Sequence, residues 1–108
     1  MNLLSCKSLR IYYNKYSRRV CLKTDNQWIG ISTTNFKILL LLIENSSDFE
    51  RITFRMNKHD VEILKVGGFI VLSLVGHIYE STILIDSIMY ETIKMNIERI
   101  KNVLMEIH

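Results

Sequence analysis

"LRIYYNKYSRRVCLKTDNQWIGISTTNFKILLLLIEN", residues 9–45, decides the fold. In its first six residues Leu9, Ile11 and Tyr13 alternate with Arg10, Tyr12 and Asn14, the period of two of a half-buried strand. Lys15 to Arg18 form a short polar turn, after which Val20, Leu22 and Thr24 oppose Arg19, Cys21 and Lys23 on a second strand. Thr24-Asp25-Asn26-Gln27 is another turn signal, and Trp28 to Ser32 read as a third short strand. Ser32 or Thr33 then caps a helix by accepting a bond from an exposed first-turn amide. Phe36, Leu39, Leu40 and Ile43 form its main stripe, and Ile38, Leu41 and Leu42 make it apolar nearly all round. A helix of that kind is expected to be buried on two sides.

The same order returns downstream. RITFRM (51–56), with Ile52, Phe54 and Met56 alternating, and DVEILKV (60–66) read as strands joined to FIVLSLV (69–75) through the tight-turn pair Gly67-Gly68. Gly76-His77 reads as a further turn and IYESTILI (78–85) as a last strand, with Asp86 or Ser87 opening a terminal helix. Ile93, Ile97, Ile100, Leu104 and Ile107 recur at steps of four and three, one continuous apolar seam, with Glu91, Lys94, Glu98 and Lys101 on the solvated side. We therefore expect a single domain over 1–108 of the α+β class, built from a duplicated unit. Residues 1–48 make a first β-β-β-α half and residues 49–108 a second β-β-β-β-α half, with antiparallel curved sheets and two helices packed together. A small sheet with one helix buries its apolar face poorly alone, so the halves are expected to pair.

Bulk composition bounds the function. The longest apolar run, Ile38 to Ile43, falls far short of the roughly 20 residues of a membrane helix. The opening MNLLSCKSLR lacks the core of a signal peptide, so an intracellular protein without a membrane role is expected, in nucleus or cytoplasm. Cys6 and Cys21 have no ligand spacing and are read as reduced and structural. The chain holds no alanine and no proline, the mark of an AT-rich gene such as those of viruses, some parasites and some endosymbionts. The net charge of +3 is unevenly spread: residues 1–54 carry eight Lys/Arg against four acids, residues 55–108 six against seven. The basic excess, concentrated from Lys7 to Lys23, suits an anionic partner.

Around the first turn this charge is interleaved with rings. Arg10, Lys15, Arg18, Arg19 and Lys23 stand among Tyr12, Tyr16 and Trp28. Single-stranded nucleic acid needs both parts: cations replace counterions along the backbone, and flat rings stack unpaired bases at about 1–3 kcal/mol each with little regard to sequence. The plainer reading makes Tyr13 and Trp28 core aromatics and the cations guards of an edge strand against aggregation.

Residues 9–45 resemble the single-stranded-DNA-binding domain of the transcriptional coactivator positive cofactor four. That family has an aromatic-basic turn, a strand beginning with lysine and valine, a tryptophan, Gly-Ile-Ser, and a helix with an aromatic near its start. Tyr16, Arg18, Arg19, Val20, Trp28, Gly30-Ile31-Ser32 and Phe36 fall in that order here, over about a third of the chain. The resemblance implies a curved antiparallel sheet followed by one helix, dimerised through the helix, with sheets that form channels for unpaired strands. Both halves of such a dimer would then lie in one polypeptide, a tandem, Whirly-like pseudo-dimer. Tyr16, Arg18, Arg19, Lys23 and Trp28 would hold the DNA. The loop at Asp25-Asn26-Gln27 is shorter than the family's basic insertion. The second half matches only in the order of its elements; Lys65 is the one cation near its Gly67-Gly68 turn, so a single binding surface is expected. Arg51 and Arg55, on the polar face of a strand, are candidates to extend it.

His59, His77 and His108 lack companions at metal spacing, the four glycines form no phosphate loop, and Asp86, Ser87 and His77 match no nucleophile motif. We expect no enzyme, no cofactor and no metal. Met89, Met95 and Met105 are read as packing filler, with a partner surface as the alternative. The expected partners are single-stranded DNA or RNA, transcription or replication proteins, and a second copy of the chain. The alternative is a viral protein-interaction or regulatory protein that uses the helix seam or a sheet edge and binds no nucleic acid.

Overall fold

Alternating apolar side chains become two separate four-stranded antiparallel meanders in the computed structural model, which describes residues 1–45, 47–56, 59–75 and 80–107. The first sheet runs in the order β1 (Asn2–Cys6), β2 (Leu9–Asn14), β3 (Arg19–Lys23), β4 (Trp28–Ser32), and leads into α1 (Thr33–Glu44). The second is β5 (Phe49–Met56), β6 (His59–Val66), β7 (Phe69–Val75), β8 (Glu80–Ile85), followed by α2 (Ser87–Met95) and α3 (Ile97–Ile107). The class is α+β, with curved, unclosed sheets. Gly76-His77, Ile78, Tyr79, the side chain of Met56 and His108 lie outside the described residues.

The first half has four strands rather than the expected three. β1 escapes a period-of-two reading because its pairing with β2 shifts between Asn2 and Leu4, so that the adjacent Leu3 and Leu4 both face the core. A bulge of this kind turns two neighbouring side chains to one side and erases the alternation. The remaining register is regular: Arg10, Lys23 and Trp28 form one cross-strand row, Tyr12, Cys21 and Gly30 the next, and Asn14, Arg19 and Ser32 the third.

Ser32 caps α1, its Oγ accepting from the Asn35 N–H at 3.1 Å. The helix buries Phe36, Leu39, Leu40, Leu42 and Ile43 and leaves Leu41 exposed, so it is less completely enclosed than its composition suggests. Asp86 caps α2 through the Met89 N–H at 2.9 Å. The terminal helix is broken at Asn96. There the Asn96 side-chain amide donates to the Thr92 carbonyl at 2.8 Å, taking the acceptor that the Asn96 N–H would use in an unbroken helix, and that N–H turns to Ile93 O at 3.1 Å. Such local competition is what makes asparagine a poor helix-interior residue. The seam survives the break: Ile93, Ile97, Ile100 and Leu104 are buried and Ile107 packs against the core.

The helices interlock the halves. α1 packs on β3 and β4 and against α2 and α3, while α2 covers β7 and β8 of its own sheet and reaches β1 of the other. Arg99 donates to Leu3 O at 2.7 Å, the Cys6 thiol lies 3.4 Å from Thr92 Oγ1, and Lys7 forms a 2.7 Å ion pair with Asp86. Where β4 and β8 approach, Ser81 Oγ accepts from the Trp28 N–H at 3.3 Å and donates to Gln27 Oε1 at 2.8 Å. The apolar seam is thus spent on internal packing.

Candidate nucleic-acid interface

Alternation in β2, β3 and β4 sends one set of side chains into the core and leaves the other on the outer face. Arg10 and Tyr12 of β2, Arg19 and Lys23 of β3, and Trp28 of β4 all belong to that outer set. The turn between β2 and β3 continues the surface with Lys15, Tyr16 and Arg18. All eight residues picked from the sequence therefore lie on one sheet face or on its hairpin tip. Tyr16 is 89% exposed and Trp28 41%, so neither is a core aromatic. Tyr13, on the opposite face, is partly buried and packs against the core.

Trp28 lies flat on the sheet rather than standing off it. A Cβ built on Gly30 would touch indole atoms Cη2 and Cζ2 at 3.4 Å and the Arg19 Cδ at 3.7 Å, so the absent side chain of Gly30 is the seat of the ring. The indole Nε1–H donates to Tyr12 Oη at 3.2 Å. Beneath these rings, in the row between Tyr12 and Gly30, Cys21 is wholly buried although it sits on the outer face. Burial pushes its thiol above the ordinary range, partly offset by hydrogen bonds from Tyr12 and Trp28 and by the charge of Arg19. The thiol of Cys21 and the bare Cα of Gly30 make the seat on which the indole packs, with Arg10, Arg19 and Lys23 on the same sheet face.

The hairpin tip is organised by Asn14. Its Oδ1 accepts from the backbone N–H groups of Tyr16 at 2.9 Å and Ser17 at 3.3 Å, an Asx turn that fixes the start of the loop. Arg18 closes the loop in left-handed backbone, φ 56°, which returns the chain to β3. Lys15 Nζ stands 5.5 Å from the centroid of the Tyr16 ring. An exposed ring with a cation beside it is the unit that stacks a base and neutralises its phosphate.

Sequence reasoning placed Cys21 on the face of Arg19 and Lys23 and named Gly30 within Gly-Ile-Ser, but missed that the two seat the indole. The signal was present in the alternation, which put both in line with Tyr12, but their role depends on how the indole lies. Among the described residues the second half offers no equal. Arg51 is paired with Glu62 at 2.9 Å. Lys65 is only 1% exposed and donates to Leu42 O at 2.8 Å and to Asn45 O, so it serves the C-terminal carbonyls of α1 instead of the solvent. Among the described residues no group of three or more His, Cys, Asp or Glu is placed to hold a metal, and no helix is long and apolar enough to cross a membrane. No protein-family model, curated protein or solved structure matches the chain.

Proposed function

We propose that the chain binds single-stranded nucleic acid, DNA by its resemblance to the positive cofactor four domain, without base-sequence preference and in the service of transcription or replication. The observation that carries this reading is the outer face of the first sheet, where Trp28, 41% exposed, lies flat among Arg10, Arg19 and Lys23, next to the Tyr16 hairpin. Phosphates are met by guanidinium and ammonium groups, bases by the indole and phenol rings, and no catalytic step is involved. Because Trp28 is the only tryptophan, its fluorescence reports the site alone. Titration with oligothymidylate is expected to quench that emission in parallel with binding. Emission unchanged at saturation would remove the stacking role.

Protein association is the second reading, and one observation favours it. The outer face of the second sheet is apolar at its Gly67-Gly68 end, where Phe49, Val66 and Phe69 form an exposed cross-strand row beside Leu84. Exposed patches of this kind are interaction sites or aggregation liabilities. Light scattering over a range of concentrations tests it, with association expected in the wild type and lost on Phe69→Ser.

A further inference from the structure

Beside the hairpin the surface dips into an open groove of about 550 Å³, within the range of small-ligand sites. Tyr12, Tyr13, Asn14, Lys15 and Tyr16 line it together with Met1, whose ammonium donates to Tyr13 O at 3.2 Å, and Ile107, near the end of α3. We propose that this groove is a pocket for one unstacked nucleobase, an extension of the strand-binding face and resting on that reading of it. Tyr12 joins the two: its hydroxyl accepts from the Trp28 indole on the sheet face while its side chain borders the groove. A strand stacked on Trp28 therefore reaches the groove with its next base. The walls are mostly apolar and aromatic, which suits a base, and the Met1 ammonium and Lys15, the latter beside Tyr16, are there to meet the phosphate that follows. Asn14 contributes rigidity, since its Oδ1 is tied to two backbone amides of the hairpin. Stacking between tyrosines accepts any base, in keeping with binding that ignores sequence.

The test uses the full chain and thymidine 5′-monophosphate, with ribose 5-phosphate as the control that lacks a base. By two-dimensional NMR the nucleotide is expected to shift the Ile107 methyl and the amides of residues 12–16, and the sugar phosphate is not. No shift at millimolar nucleotide, or equal shifts with both compounds, would overturn the pocket. Ile107→Trp fills the groove from the helix side. With oligothymidylates of increasing length it is expected to bind roughly tenfold more weakly than wild type and to need one nucleotide fewer for full affinity, with the same salt dependence. An unchanged site size would mean that the strand bypasses the pocket. Groove shifts with the nucleotide but no binding of oligonucleotides would instead uphold the pocket and defeat the strand-binding face.

Discussion

Arg18 occupies left-handed backbone, a conformation that costs a side-chain-bearing residue roughly 1–2 kcal/mol and glycine almost nothing. The loop from Lys15 to Arg18 thus carries a cation where folding alone would prefer glycine. Arg18→Gly separates the two demands. Thermal unfolding is expected to show unchanged stability or a gain of up to about 1 kcal/mol, since relief of strain is partly offset by the entropy of the freer unfolded chain. Binding to single strands is expected to weaken, with the salt slope reduced by about 0.7 for the lost phosphate contact. A variant that gains stability and keeps full affinity would make Arg18 a turn residue and nothing more. At this scale the sequence was informative about which side chains share the outer face, because a period of two is local. It did not give the role of Cys21 and Gly30, which comes from an indole seated against Gly30 and bonded to Tyr12 Oη.

The C-terminus of α1 shows what an element needs from elsewhere in the chain. Its last carbonyls are met by Lys65 of β6, at Leu42 and Asn45, and by the Tyr90 hydroxyl, which donates to Ile43 O at 2.9 Å. Lys65 also lies 5.6 Å from the Tyr90 ring centroid. A buried ammonium is tolerable because it faces the negative end of a helix and an aromatic face. Lys65→Met keeps the stem and removes the donors, so denaturant unfolding is expected to show a loss of about 2–4 kcal/mol, with affinity for single strands unchanged at temperatures where the variant is folded. Wild-type stability would show that solvent satisfies these carbonyls. Lys65 stands at an inward position of DVEILKV, yet its burial cannot be read there, because the groups that permit it come from α1 and α2. The break at Asn96 is similar. Isoleucine spacing runs on past residue 96, while the helix itself is interrupted there by the side-chain bond to Thr92 O.

At the scale of the molecule, two sheets of the same topology present different outer faces: cations and rings on the first, an apolar row and the Arg51–Glu62 pair on the second. The repeat of strands then helix was legible from alternation and turn chemistry, whereas β1 was hidden by its bulge. The contacts between the halves were not legible at all, since pairs such as Lys7–Asp86 and Arg99–Leu3 join distant parts of the chain. One of them is sensitive to acid. The Lys7 ammonium, followed by the Met89 amide, holds the Asp86 carboxyl below its ordinary value near 3.8. A carboxyl lowered by folding contributes stability that is present above the ordinary value and lost as pH falls through the folded one. Asp86→Asn is therefore expected to narrow the stability difference between pH 7 and pH 3 measured by circular dichroism, and an unchanged difference would place the acid-sensitive group elsewhere. The central claim is that the first sheet's outer face grips unpaired strands through its cations. Its most direct test is fluorescence anisotropy of a labelled oligothymidylate at several salt concentrations, with wild type and Arg18→Ala/Arg19→Ala. The expected result is binding that falls steeply with salt in the wild type, weaker binding in the variant, and a slope shallower by about 1.4 for two lost phosphate contacts. Binding that ignores salt, or a variant with the wild-type affinity and slope, would contradict it.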